Sequence, residues 1–219
     1  MKKNYINFSI IVSNTQRSIE YLRQLRINNL IPNYIIHLDN KKKYYEKYFK
    51  DFSSTNNSKY KRFVSETIDS AYVKKKILEL DDKILVYSGY PGKIIRTIEI
   101  LKKKFLLHSH PGKLPNFRGS TVMFYSLILQ KQIYCSTIVL SPFLDRGKII
   151  LKKKYEIPKK ISQINGSFDD KIRALNMAQS LIKFKLNNFN KIRNNDKKLY
   201  VDYTVAHTLL RSLALKIKK

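Results

Sequence analysis

With 219 residues, 43% of them apolar, the chain can bury one sizeable α/β core, at most with a small appendage, and it is too short for a multidomain machine. Lys plus Arg number 44 against 16 Asp plus Glu, a formal net charge of +28, but 34 of these cations are Lys in a chain also rich in Asn, Ile and Tyr. That is how an AT-rich coding sequence drifts at surface positions, so charge alone assigns no polyanionic partner; Cys135, the only cysteine, excludes an intramolecular disulfide and a thiolate zinc cage and fits a reducing, cytoplasmic setting.

In chain order, Tyr5 to Val12 reads as a first strand rather than a leader, because Asn7 and Ser9 interrupt its apolar run and no small-residue cleavage site follows. Ser13-Asn14-Thr15 offers a cap for a helix carrying Ile19, Leu22 and Leu25, and Tyr34 to Leu38 reads as the second strand. Lys41 to Lys61 reads as a surface helix and a loop broken at Ser53 to Ser58. Val73 to Leu80 follows as a helix, Lys83 to Tyr87 as a buried strand, Ile94 to Lys104 as a helix and Phe105 to His108 as a short strand. Ser120-Thr121 is placed to cap a helix with Val122, Met123, Leu127 and Ile128. Ser136 to Leu140 and Lys148 to Leu151 read as strands, Phe168 to Phe189 as a long helix and Tyr203 to Leu215 as a last one. Such alternation predicts a Rossmann-like α/β fold, a mostly parallel sheet flanked by helices with a helical segment at the carboxyl end. No apolar run approaches the roughly 20 residues that cross a bilayer, so no membrane partner is expected.

Five of the six glycines and four of the six prolines fall between residues 89 and 147. In open α/β sheets ligands sit at the carboxyl ends of strands, where loops turn tightly and backbone approaches ligand. Ser88-Gly89-Tyr90-Pro91-Gly92 follows one predicted strand and His108-Ser109-His110-Pro111-Gly112 the next. No carboxylate lies between Glu99 and Asp145, so Asp145, in the loop after the Ser136 to Leu140 strand, is a candidate orienter of His110 in a general acid-base pair. The competing readings are turn residues with no chemistry and, less favoured, a zinc site from His108, His110 and Asp145. His207 reads as a histidine buried in a helix contact.

At these residues the sequence resembles the folate-dependent formyltransferase family, which includes glycinamide ribonucleotide, methionyl-tRNA and sugar N-formyltransferases. The family signature runs Asn-x-His-Pro-(Ser/Gly)-x-Leu-Pro-x-(Tyr/Phe)-(Arg/Pro)-Gly, with Asp-x-Gly about 35 residues after the His. This chain reads His108-Ser109-His110-Pro111-Gly112-Lys113-Leu114-Pro115-Asn116-Phe117-Arg118-Gly119 and then Asp145-Arg146-Gly147. The resemblance covers Lys83 to Ile150 well and the amino-terminal elements loosely. It implies that His110 and Asp145 are catalytic and that His108, standing where the family has asparagine, takes over the oxyanion. It further implies that 10-formyltetrahydrofolate is the co-substrate with no metal needed. The pteridine would be held by the backbone of Tyr90, Gly92 and Ile94 and by the loop Ser141-Pro142-Phe143-Leu144.

Residues 1–155 are expected to form the catalytic domain and 156–219 a mainly helical extension packed on it. The partner expected is a small-molecule amine acceptor. Methionyl-tRNA enzymes of the family generally add a β-rich domain, whereas about 70 mainly helical residues follow Gly147 here. Glycinamide ribonucleotide enzymes usually carry a glycine-rich phosphate loop after the first strand, whereas Val12 to Arg17 has no glycine, leaving Ser13, Thr15 and Arg17 as candidate substrate-binding residues beside their role as a plain helix cap. By elimination the favoured acceptor is a nucleotide-linked amino sugar. Homodimer formation stays open. The alternative of another class is a non-catalytic, basic nucleic-acid-binding protein using the Lys and Tyr residues of 41–61.

Overall fold

The computed structural model describes residues 6–41, 44–92, 95–158, 161–164, 166–183 and 202–217. Two compact units divide between His108 and Ser109. The first holds β1 (Phe8–Ser13), α1 (Gln16–Ile27), β2 (Tyr34–Asp39), α2 (Glu46–Asn56), β3 (Lys59–Val64), α3 (Ala71–Leu78), β4 (Ile84–Ser88), α4 (Ile98–Lys103) and the start of β5 (Phe105–His110). Its strands run parallel in the order β3-β2-β1-β4-β5. Helices cover both faces of such a sheet, so its central strands are buried throughout rather than on alternate residues; all six residues of β1 and all five of β4 are buried. The order reverses at β1, and the carboxyl ends of β1 and β4 are joined there, with Ser13 Oγ donating to the Ser88 carbonyl at 3.1 Å and Ser18 Oγ to the same carbonyl at 2.8 Å.

The second unit contains β6 (Arg118–Gly119), α5 (Val122–Gln130), β7 (Ile133–Val139), β8 (Lys148–Tyr155), a 3-10 turn at Ile161–Ile164, α6 (Ser167–Lys183), β9 (Asp202–Tyr203) and α7 (Thr208–Lys216). β7 and β8 pair antiparallel, and β6 and β9 pair parallel. Met123, Phe124, Leu127, Ile133, Cys135, Ile172 and Ala214 share one core. Burial pushes the Cys135 thiol far up, so it is inert.

The expected α/β class and most elements are present, with six differences. The last helix, expected over Tyr203 to Leu215, begins only at Thr208, because Asp202–Tyr203 is drawn into β9 against β6. β3 replaces the expected loop: a parallel strand with Lys59 exposed and only Phe63 buried carries no apolar run to announce it. α2 continues through Ser53 to Asn56, because Ser54, Thr55 and Asn56 each bond back to the carbonyl four residues earlier instead of leaving the helix. α4 begins at Ile98, its start fixed by Asp69, which accepts from the backbone N–H of Arg96 and Thr97. Thr121 does not cap α5 with its side chain; it sits at φ 52° and its hydroxyl accepts from Ala206 N–H at 2.7 Å. His207 is exposed rather than buried, its Nδ1 accepting from Leu209 N–H at the start of α7. Residues of the expected long helix beyond Lys183 lie outside the described residues. Among the described residues no helix is long and apolar enough to cross a membrane.

Candidate active site

His110 closes β5, and Asp145 follows the turn after β7. The structure brings them together, with His110 Nδ1 3.3 Å from Asp145 Oδ1 and both side chains more than nine-tenths buried. A separate backbone group holds each member. His110 Nε2 lies 2.8 Å from the Phe117 carbonyl, and Asp145 Oδ2 accepts from Gly119 N–H at 2.9 Å. A carbonyl only accepts, so Nε2 carries a hydrogen and Nδ1 is the nitrogen left to exchange a proton beside the carboxylate. The neutral ring can donate to one of its two acceptors and the imidazolium to both.

The loop between them is shaped by residues without reactive side chains. A side chain on Gly112 would place Cβ 2.7 Å from both His110 Nε2 and the Phe117 carbonyl, so only glycine leaves this hydrogen bond intact. Ser136 Oγ donates to the Gly112 carbonyl at 2.6 Å and accepts from Leu114 N–H at 3.2 Å, and Lys152 Nζ donates to the Leu114 carbonyl at 3.1 Å. Below the strand end, Arg173 of α6 donates to the Ser109 carbonyl at 3.1 Å while its Nε holds Asp169 at 2.7 Å. Ser109 Oγ meets Thr137 Oγ1 at 2.9 Å, and Thr137 also accepts from Asn176 at 2.7 Å. Asp145 itself adopts φ 51°, and the turn closes on Gly147, where a Cβ would lie 1.7 Å from the Val139 carbonyl.

The other sequence-predicted residues have varied surroundings. Phe143 and Leu144, immediately before Asp145, are 68% and 51% exposed, while Ser141 Oγ donates to the Phe143 carbonyl at 3.1 Å and so fixes the turn that includes Pro142. This is apolar surface on the turn that leads into Asp145. His108 belongs to the first unit, half-buried with its ring 6.3 Å from that of Tyr87. Tyr90 uses its hydroxyl on the fold, donating to the Leu38 carbonyl at 3.1 Å and accepting from Asn14 and Asn40 N–H. Gly92 has φ 74° with open space where a Cβ would be, and Ile94 lies outside the described residues. Ser13 and Thr15 join β1 to α1, Thr15 capping the helix by accepting from Ser18 N–H at 3.3 Å, and Arg17 is half-exposed on the first turn.

Sequence reasoning missed a buried polar cluster in the first unit. His37, 0% exposed, has Nδ1 2.7 Å from the Tyr60 hydroxyl and Nε2 2.9 Å from Asn14 Oδ1. Burial pushes it down to about 4, so it is neutral at pH 7. Burial raises the neighbouring Asp39 carboxyl, but hydrogen bonds from Arg62 and Asn14 outweigh this and hold it low. The signal was available: a histidine in the middle of an apolar strand must find partners. Its ring and the Asp39 carboxylate are satisfied internally, so the cluster supports the fold rather than chemistry. Among the described residues no group of three or more His, Cys, Asp and Glu is placed to hold a metal ion.

No family model matches the sequence, and no curated protein matches it. Solved structures do. A sugar N-formyltransferase from Shewanella sp FDAARGOS_354 superposes with TM-score 0.61 at 15% identity, covering 96% of this chain and 87% of that one. A phosphoribosylglycinamide formyltransferase from Campylobacter jejuni gives 0.58 at 22% identity over 82% and 97%, and a methionyl-tRNA formyltransferase from Clostridium thermocellum 0.53 at 16% over 92% and 73%. The chain has the formyltransferase fold.

Proposed function

We propose that the protein is an N-formyltransferase that moves a formyl group from 10-formyltetrahydrofolate to a primary amine, and that the amine belongs to a nucleotide-linked amino sugar. The observation that carries the reading is the buried His110–Asp145 pair, held from both sides by backbone groups on a formyltransferase fold. The folate supplies the activated formyl carbonyl. The reaction forms a C–N bond to the acceptor and breaks the one to the folate nitrogen, so the acceptor nitrogen loses a proton and the leaving nitrogen gains one. His110, with Nε2 fixed on Phe117, moves that proton through Nδ1. Asp145 holds the ring in orientation and stabilises its charged form, a role for which its Gly119 hydrogen bond preorganises it. His108 donates to the developing oxyanion in place of the family's asparagine. Phe143 and Leu144 give the pteridine an apolar wall, and the backbone of Tyr90 and Gly92 is the further contact the resemblance assigns.

Two observations support an amino sugar over glycinamide ribonucleotide. The loop after β1 lacks glycine, and the Ser13 and Thr15 hydroxyls are engaged at the strand-helix junction. A mass-spectrometric screen offering 10-formyltetrahydrofolate with amino-sugar nucleotides, glycinamide ribonucleotide or methionyl-tRNA tests the proposal. A gain of one formyl group on an amino-sugar nucleotide supports it. A gain on either other acceptor corrects the substrate, and no gain on any refutes the activity.

A further inference from the structure

The two backbone groups that fix the acid-base pair, the Phe117 carbonyl and Gly119 N–H, lie on one short strip, residues 117–121. That strip is gripped along its length by a segment about 85 residues later in the chain. β9 pairs with β6 in the register Arg118 with Asp202 and Gly119 with Tyr203. The Tyr203 carbonyl accepts from Ser120 N–H at 2.9 Å, and Ala206 N–H donates to the Thr121 hydroxyl at 2.7 Å. The Tyr203 ring stacks on Phe117 with centroids 5.4 Å apart and planes 14° from parallel, and it meets Tyr125 at 4.6 Å. Asp202 reaches the other side of the site, pairing at 3.2 Å with Arg146, the residue after Asp145. Gly119 records how tight the grip is: with φ 94°, a Cβ there would sit 2.1 Å from the Tyr203 carbonyl.

We infer that residues 202–206 form a wall of the acid-base site and that Tyr203 is a positioning residue for His110 and Asp145, acting through Phe117 and Gly119. This rests on the proposed role of that pair. Tyr203 touches no reacting atom; its ring holds the Phe117 side chain, and with it the carbonyl that fixes His110 Nε2, while its backbone holds the strand that presents Gly119 N–H to Asp145. The phenolic oxygen takes no part in these contacts, so phenylalanine should serve as well as tyrosine. Alanine should release the strip, and a leucine of similar bulk should fill the space without the planar stack.

The test is the His110 imidazole itself, observed by nitrogen-edited NMR at a fixed pH in protein with isotopically labelled histidine. Its signal is identified among the four histidines by its loss in His110→Gln. This readout needs neither folate nor acceptor, so it stays informative even if formyl transfer proves not to be the reaction. Tyr203→Phe should keep the wild-type ring-nitrogen signals of His110, whereas Tyr203→Ala should move them toward those of Asp145→Asn. If formyl transfer is the reaction, Tyr203→Ala should also lose at least about tenfold in kcat with the KM for folate little changed, as expected for a group displaced from its reacting geometry. Should Tyr203→Ala not fold, as judged by circular dichroism, Tyr203→Leu is read in the same way. His110 ring-nitrogen signals that stay wild-type in the folded alanine or leucine variant would overturn the inference, and so would a phenylalanine variant that behaves like alanine.

Discussion

Gly112→Ala adds a single methyl group at the point where the loop lies tightest against the His110 ring. The new Cβ would stand 2.7 Å from His110 Nε2, 2.7 Å from the Phe117 carbonyl and 2.9 Å from Val122 Cγ2. All three lie well inside contact distance, and two of them are the partners of one hydrogen bond, so that bond must open. Leaving a buried donor unsatisfied costs about 1–3 kcal/mol, and overpacking adds about 1–3 kcal/mol. For a chain of this size that sum corresponds to a melting temperature lower by roughly 5–15 °C. Displacement of the imidazole by about 1 Å should lower kcat about 100-fold. The control is Gly92→Ala, where φ is 74° but nothing lies within 4 Å of the added Cβ. It meets only left-handed backbone strain, about 1–2 kcal/mol, and should leave the His110 signals untouched. Melting temperatures and imidazole NMR of the two variants, with the formyl-transfer rate of Gly112→Ala against the wild type, decide the matter. A Gly112→Ala protein with wild-type kcat and unshifted His110 resonances would refute the claim that the Phe117 carbonyl fixes the ring.

Three further expectations address the oxyanion, the buried cluster and the turn beside Asp145. Replacing His108 with alanine should lower kcat by about 100- to 1,000-fold, as loss of an oxyanion donor does, while asparagine should keep most of the rate; equal losses in steady-state assays would argue against a donor role. His37 is neutral in the fold and pushed down to about 4, so its contribution to stability is complete above its unfolded value near 6.5 and disappears as pH falls from there toward 4. Denaturant unfolding should therefore show a loss of up to about 3 kcal/mol across that window, with a shallower slope in His37→Gln. Gly147→Ala, whose Cβ would meet the Val139 carbonyl at 1.7 Å, should melt well below the wild type, because the obstacle is backbone and cannot rotate away.

What was legible in the sequence followed the physics of burial. β1, β2 and β4 are covered on both faces, so each is written as a mostly apolar run, broken only by Ser9 in β1 and His37 in β2 before the polar residues that end each strand. β3 is half-exposed and carries Lys59, Lys61 and Arg62, so nothing in its composition distinguishes it from a solvated loop. In the site, His110 and Asp145 were legible because chemistry demands those side chains and the motif spaces them. Their anchors were not, because the Phe117 carbonyl and Gly119 N–H belong to the backbone, which every residue has. The pairing of Arg118–Gly119 with Asp202–Tyr203 was hidden for a similar reason: two-residue strands far apart in the chain leave no periodicity to read. Gly112, Gly119 and Gly147 were visible as glycines in a loop-rich stretch, and the atoms that forbid a Cβ at each became apparent only in three dimensions.

The most direct test follows an isotopically labelled formyl carbon from 10-formyltetrahydrofolate to an amino-sugar nucleotide by mass spectrometry, in wild type and in Asp145→Ala. Label should appear on the acceptor amine with the wild-type protein, and the alanine variant should transfer it at least roughly 100-fold more slowly while remaining folded. Label that stays on the folate with every amine offered to the folded wild type, or an alanine variant as fast as the wild type, would contradict the account.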